Sequence, residues 1–400
     1  MTFGEMKKKN VAEIVRAPFG DDGGRVSYYP RYIQLEHSSF CNAQCIMCNH
    51  FYLGNRGAKH LPQQVTEILD PVFPYVEMIM LNGDGEPFLH PLLRDCTRQY
   101  QKYGIIVSSN TNLGLPDLDP GSFKGCFDSL VLSCDGASKE TFEMIRRGLS
   151  FERFCANARR LREELPEIDL SLDTVLMKEN VLEAADIVRL AAELGTASVR
   201  FNMLGVNPEI GNGADALWDC MDLAAREMRK ARKAGCETGV RTSFPAFIPE
   251  TFDEDRAAVQ EEAVRGMDFP ELIEQRRVQA SGAVRCDLSQ NRLHREFGDS
   301  DYRQEETSEN RWCSWGLERC YIDLSGNVST CCFNVHHYMG NLLEAGSFDA
   351  VWNGERYAAF RKNMRKGVLP AWCGQCSWRA DNASSMAVGK QIPVTKKSAE

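Results

Sequence analysis

Cys41-Asn-Ala-Gln-Cys45-Ile-Met-Cys48 places three thiols on one short loop, spaced C-x3-C-x2-C, directly after an apolar, strand-like run. Three thiolates can hold three corners of a cubane iron–sulfur cluster and leave the fourth iron without a protein ligand. An open iron can bind a cofactor and do chemistry, whereas a fully ligated one mostly carries electrons. The competing readings are a zinc site and buried thiols. Zinc favours four ligands in paired C-x2-C or His-containing sets, so an isolated C-x3-C-x2-C fits it poorly.

A second set of cysteines spans 313–376. Cys313 and Cys320 lead into Tyr321-Ile-Asp-Leu-Ser-Gly-Asn-Val-Ser-Thr-Cys331-Cys332, and Cys373-Gly-Gln-Cys376 follows further on. Tyr321 to Leu324 and Val328 to Cys331 alternate around Ser325-Gly-Asn327, which predicts a tight β-hairpin. Hairpin cysteines plus a distant C-x2-C bring four thiolates together, enough to saturate zinc or a cluster. Taken alone, zinc competes seriously here; the upstream loop tilts the reading towards iron. The other seven of the sixteen cysteines are scattered singly and read as small buried hydrophobes.

The elements that must position these residues alternate. Strands are expected at Tyr32 to His37, Val76 to Asn82, Ile105 to Ser109, Ser129 to Ser133, Leu170 to Met177 and Ser198 to Met203. Helices are expected at Pro62 to Leu69, Leu92 to Tyr103, Lys139 to Arg147, Phe151 to Leu161 and Leu182 to Leu194. A further helix, Asp215 to Ala234, carries one apolar face and is closed by Gly235. Apolar strands alternating with amphipathic helices mean a parallel sheet covered by helices. In such folds ligands bind at the C-terminal strand ends. Those ends are the cysteine loop, Asn82-Gly-Asp-Gly-Glu-Pro87, Asn110-Thr-Asn112 and Ser133-Cys-Asp-Gly136. Taken singly each reads as an ordinary turn, but four polar ends converge on one cysteine loop. Ser347 to Arg365 is expected to be helical. Residues 245–311 look charged and irregular, either a solvated face or a lid over a substrate.

Four hundred residues, 43% of them hydrophobic, can bury a sizeable core divided among two or three domains. The expected division is 1–30 as an N-terminal arm, 31–204 as the parallel-sheet domain, 205–311 as linking helix plus insert, 312–380 as the cysteine-rich domain and 381–400 as a tail. No apolar run reaches the ~18–20 residues of a membrane span, and no apolar h-region follows Lys7, Lys8 and Lys9. The expectation is a cytoplasmic protein. Reducing cytosol makes clustered cysteines metal-binding or redox-active rather than disulfide-bonded. A net charge of -9 gives no basic footprint for nucleic acid.

These residues resemble the radical S-adenosylmethionine superfamily, in particular its members with a C-terminal SPASM or shortened twitch domain. The C-x3-C-x2-C loop is similar to that superfamily's signature, and Asp84-Gly85-Glu86-Pro87 to its Gly-Gly-Glu-Pro-like motif, with Asp84 departing from the first glycine. The resemblance implies an α/β fold, a partial (β/α)6 TIM-like barrel, with a small cysteine-rich auxiliary-cluster domain after it. It implies that Cys41, Cys45 and Cys48 ligate a 4Fe-4S cluster whose open iron takes S-adenosylmethionine. Met47 would lie against the adenine, Glu86 would accept from the methionyl ammonium, and Gly85 of the same motif is implied among the cofactor-binding residues. Asn110 would sit near the ribose, and Ser133 with Arg146 near the carboxylate; adjacent Arg147 could take the place of Arg146. Cys313, Cys331, Cys373 and Cys376 resemble the ligands of one auxiliary 4Fe-4S cluster. Cys320 and Cys332 are then spare: core thiols, substitute ligands or hydrogen-atom donors.

The implied chemistry is reductive cleavage of S-adenosylmethionine to a 5′-deoxyadenosyl radical, with an external donor such as flavodoxin or ferredoxin. The radical abstracts a substrate hydrogen, and an auxiliary cluster suits removal of a second electron. The expected outcome is oxidation of a small natural-product intermediate, such as an amino sugar or cyclitol. A thirty-residue N-terminal arm is too short for a peptide-binding winged-helix module, which places a ribosomal-peptide or protein maturase second. Behind these stand an epimerase that uses Cys320 or Cys332 as donor and a non-enzymatic zinc-binding scaffold.

Overall fold

The computed structural model describes residues 1–20, 23–53, 59–206, 210–245, 248–282, 302–303, 313–332, 337–366, 368–370 and 373. In chain order α1 (Phe3–Arg16) precedes β1 (Tyr32–Leu35), the cysteine loop, α2 (Asn49–Leu53) and α3 (Gln63–Leu69). There follow β2 (Met78–Leu81), α4 (Leu93–Lys102), β3 (Ile106–Thr111), β4 (Ser129–Ser133), α5 (Lys139–Ile145) and α6 (Phe151–Glu164). Next come β5 (Asp169–Leu176), α7 (Ala184–Glu193), β6 (Ser198–Met203), α8 (Met221–Thr238), β7 (Arg241–Ser243), α9 (Glu254–Arg265) and α10 (Phe269–Gly282). The last elements are β8 (Tyr302–Arg303), β9 (Arg319–Ile322), β10 (Asn327–Ser329), β11 (Tyr338–Asn341), α11 (Leu342–Ala345), α12 (Phe348–Trp352), α13 (Glu355–Arg365) and β12 (Leu369–Pro370).

The chain divides into two compact units. One comprises residues 35–61 and 78–292, and its strands β2 to β7 pair in parallel in chain order. Their inward residues, Ile79, Leu81, Val107, Leu130, Leu132, Leu170, Leu172 and Val199, are buried, as an apolar alternating pattern requires. This is the mixed α/β architecture with a parallel sheet that the resemblance implies. The strand β7 has no counterpart among the expected elements; its three residues are polar and two are exposed, so no apolar pattern marks it.

Four helical expectations change across the two units. The expected helix from Asp215 begins instead at Met221, because residues 212–219 wind into short 3₁₀ turns. It runs past Gly235 and stops at Gly239, whose φ of +76° suits a left-handed cap. Gly235 is there for packing: a Cβ would stand 2.7 Å from the Val240 carbonyl oxygen. The insert, expected to be irregular, contains α9 and α10. α9 docks on α8 through Gln260 Oε1, which accepts from Leu223 N at 2.9 Å, and through the buried Arg226, which pairs with Glu261.

The other unit comprises residues 1–34, 62–77 and 293–400. β9, β10 and β11 form an antiparallel meander, and Gly326 (φ +78°) turns the expected hairpin. Asp323 Oδ1 tightens that turn by accepting from Ser325 N and Asn327 N at 2.8 and 3.0 Å. The expected helix 347–365 breaks at Asn353-Gly354 into α12 and α13. Asn353 turns outward from the helical path to exchange 2.8 and 3.1 Å bonds with the Val26 backbone. The N-terminal residues, not expected to be helical, form α1 on a Thr2/Glu5 capping box. Arg361, fully buried, ties this unit together: it donates to Trp352 O at 2.8 Å, Gly316 O at 3.2 Å and Gly24 O at 3.3 Å.

Candidate functional site

The cysteine loop is gripped on one side by the turn after β2. Glu36, 4% exposed, accepts from Asp84 N at 2.9 Å, and Glu86 N donates to Phe40 O at 2.7 Å. Gly85 stands where a Cβ would come 2.1 Å from Ser38 O and 2.8 Å from Phe40 O. No side chain fits between turn and loop, which is the local reason for that glycine.

On the other side the segment after α5 continues the grip. Arg147 O accepts from Gln44 N at 2.7 Å and Ile145 O from Ile46 N at 3.0 Å. Asn112, beyond β3, donates from Nδ2 to Asn42 Oδ1 at 2.9 Å and lies 3.8 Å from Cys41 Sγ. Burial raises the pKa of all three thiols, and to a lesser extent Cys45 raises Cys41, Cys48 raises Cys45 and Cys41 raises Cys48. Burial pushes the Cys45 thiol up to about 11.

The residues expected to meet a cofactor stand at the strand ends. Glu86 is 2% exposed; its carboxylate accepts from Phe88 N at 3.1 Å and Asn112 N at 2.7 Å, and burial raises its pKa against those bonds. Asn110, near the end of β3, has a buried Oδ1 with no hydrogen-bond partner. Ser133 ends β4 half-buried, in register with Asp173. Arg146 is 9% exposed, pairs with the fully buried Asp135 at 2.7 Å and approaches Cys45 Sγ at 3.9 Å. Burial opposes its charge, but Asp135 and Cys45 outweigh that and raise its pKa. Met47 packs against an apolar cluster of Ile46, Ile145, Met177, Leu204, Ala216 and Ile273.

Sequence reasoning gave no roles to Asn112, Asp135 or Arg276. The first two lie in strand-end stretches already marked as polar, and the function of each depends on a partner distant in sequence. Arg276 sits in α10, whose sequence carries no motif, yet it donates to Ile46 O inside the cysteine loop at 3.2 Å.

Behind the loop, His37, His90 and Cys96 bring potential metal-binding atoms within 4.8 Å of one another. Burial lowers the imidazole pKa values to about 3 for His37 and about 4 for His90, so both rings are neutral. Leu92 N donates to His90 Nδ1 at 3.1 Å, which puts the ring proton on Nε2 and removes the lone pair a metal would need there. Tyr100 OH bonds His37 Nε2 at 3.1 Å. This cluster reads as a neutral buttress under the loop.

In the other unit Cys313, Cys331, Cys332 and Cys373 are each half-buried, and Cys376 lies outside the described residues. Cys331 and Cys320 both act on the ionisation of the buried Tyr357. Cys320 is fully enclosed in β9, and desolvation raises its pKa strongly, the environment of a core thiol.

Comparisons with known proteins converge. A family profile described as the radical SAM superfamily matches residues 35–191, and one described as an iron-sulfur cluster-binding domain, SPASM, matches 313–377. The chain is 27% identical over 248 residues to a tungsten-containing aldehyde ferredoxin oxidoreductase cofactor-modifying protein of Pyrococcus furiosus, covering 57% of this chain and 68% of that one. Its fold is similar to SuiB of Streptococcus suis, with TM-score 0.55, 15% identity and coverage of 89% of this chain and 71% of that one. It is also similar to anSMEcpe with bound AdoMet, with TM-score 0.55, 17% identity and coverage of 87% and 84%. The radical SAM domain brings S-adenosylmethionine and a 4Fe-4S cluster as cofactors, and the SPASM domain brings auxiliary iron–sulfur binding. The chain belongs to the radical SAM superfamily, as an enzyme carrying a C-terminal SPASM domain.

Proposed function

We propose that Cys41, Cys45 and Cys48 hold the open-site cluster, that Met47, Gly85, Glu86, Asn110, Ser133 and Arg146 form the S-adenosylmethionine site, and that the enzyme oxidises its substrate by two electrons. The observation that carries this reading is a loop of three thiols held by the turn after β2, by Asn112 beyond β3 and by the segment after α5. The donor set fits: three thiols, a buried Asn110 oxygen lacking a partner, and a buried cation at Arg146. When bound, the cluster and S-adenosylmethionine supply a radical able to take hydrogen from an unactivated carbon.

The chain's own residues orient and shield. Arg146, anchored by Asp135, offers its guanidinium to a carboxylate. Glu86 retains lone pairs for an ammonium group, whose approach would favour its ionised form. Asn110 Oδ1 accepts from a hydroxyl. Met47 and the apolar cluster beneath it exclude water from a site that needs dryness. Cys313, Cys331, Cys373 and Cys376 are the proposed auxiliary ligands, and a flavodoxin or ferredoxin the proposed electron donor.

For the substrate, a small organic intermediate such as an amino sugar or cyclitol comes first, and the Pyrococcus furiosus relative, named as a cofactor-modifying protein, supports a non-peptide target. A peptide or protein side chain is the second reading, favoured by similar folds solved with a precursor peptide, in SuiB, or with a peptide and AdoMet, in anSMEcpe. The test is anaerobic reconstitution followed by dithionite and S-adenosylmethionine, reading 5′-deoxyadenosine and methionine. Iron-loaded wild type should form both, and Cys45→Ala neither. Stimulation by the low-molecular-weight fraction of a source extract, and not by its protein fraction, supports the first substrate reading; the reverse supports the second. Protein that takes up zinc but no iron overturns the proposal.

A further inference from the structure

Arg276 stands in the stretch between the two matched domains, which neither family profile covers. It is 4% exposed and reaches into the cysteine loop. Its Nη1 donates to the Ile46 carbonyl at 3.2 Å, between Cys45 and Met47. The helix that carries it, α10, also packs against α2, which starts directly after Cys48, and there the Arg276 charge opposes the burial that raises the Tyr52 pKa. Its Nη2 pairs with Asp215, whose own carbonyl accepts from Lys178 N at 2.9 Å just beyond β5. Three residues before it, Ile273 is 1% exposed and packs in the same apolar cluster as Ile46. A buried arginine fork can span several acceptors in fixed geometry, which a point charge on a flexible stem cannot.

The local charge count supports a fixed bridge. Asp215 is fully buried and balances Arg276. Glu179, 8% exposed and beside Asp215, is held neutral at ordinary pH because burial, then the Asp215 charge, push its pKa up to about 8. Asp215 is thus the ion-pair partner of Nη2, and Nη1 is left to the Ile46 carbonyl.

We infer that Arg276 is a positioning residue for the S-adenosylmethionine site: it holds the Ile46 carbonyl between Cys45 and Met47 while anchored on Asp215, so that α10 is a fixed wall of the cofactor site. The inference rests on the proposed role of Cys41, Cys45 and Cys48. Arg276→Gln removes both the ion pair and the fork, and Arg276→Lys keeps the charge and loses the fork. Arg277→Gln, altering an exposed neighbour that pairs with Glu274, is the control.

The experiment reads iron content, S-adenosylmethionine affinity by titration, and the change in the reduced cluster's EPR spectrum on adding S-adenosylmethionine. Expected are near wild-type iron, affinity weakened about tenfold in Arg276→Gln and less in Arg276→Lys, and an altered spectral response in both. Arg277→Gln should match wild type. Wild-type affinity and spectrum in a folded Arg276→Gln overturn the inference alone. If Arg276→Gln does not fold, unchanged affinity and spectrum in Arg276→Lys overturn it. A wild type that binds iron without any response to S-adenosylmethionine, or binds no iron, overturns the proposed site and this inference together.

Discussion

Replacing Gly85 with alanine tests how closely the turn after β2 governs the cysteine loop. The added Cβ would stand 2.1 Å from Ser38 O, 2.7 Å from Ser39 Cα and 2.8 Å from Phe40 O. All three atoms are backbone, so no side-chain rotation relieves the overlap. Restoring an ordinary contact requires turn and loop to part by about 1 Å, which stretches the 2.7 Å bond from Glu86 N to Phe40 O beyond useful range. Overpacking of this kind costs about 1–3 kcal/mol of stability. Because the displaced segment leads into Cys41, a misplacement near 1 Å should lower turnover by roughly a hundredfold. The assays are thermal unfolding, iron content after anaerobic reconstitution, and 5′-deoxyadenosine formation. Gly205→Ala is the control, since nothing lies within 4 Å of its added Cβ. A Gly85→Ala protein that unfolds at the wild-type temperature and forms 5′-deoxyadenosine at the wild-type rate would refute the packing argument.

Two further outcomes are expected. Asp135→Asn leaves Arg146 charged, 9% exposed and without its anion, so the protein should lose about 3–5 kcal/mol. Denaturant titration checks this, and an unchanged midpoint would show that Arg146 finds another counter-charge. Glu179 keeps its proton to about pH 8 in the folded protein, while its ordinary pKa is 4.5. The folded state therefore binds more protons within that window. Its contribution to stability is full below about pH 4.5 and is lost as pH rises through about 8. The groups facing it are Asp215 and Arg276. Glu179→Gln should remove the slope, so the unfolding midpoints of wild type and variant should diverge with rising pH across that window and run parallel above it; a constant difference contradicts the assignment.

Much of the barrel was legible because its strands are apolar and short and its helices amphipathic, so that period alone separates them. Ser129–Ser133 and Ser198–Met203 fall where the pattern puts them. The candidate site was legible where a motif carries its own geometry, as in the cysteine loop and Gly85-Glu86-Pro87. It was illegible where function depends on a partner far along the chain: Asp135 acquires meaning from Arg146, and Asn112 from Asn42 and Glu86. The insert misled for a different reason. α9 and α10 mix charged and polar residues with apolar ones, and among their described residues the buried apolar ones, such as Ala257, Val264 and Ile273, are too few to write an apolar stripe.

Local spacing and periodicity thus determined the thiol trio, the alternating β–α order and the polar strand ends, because each is a property of residues a few positions apart. Tertiary structure alone decided which buried charges meet. Arg276 reaches Ile46 across 230 residues and Arg361 reaches Gly24 across 337. Such pairs arise because a desolvated guanidinium must find acceptors wherever the fold brings them, and no local pattern records where that will be.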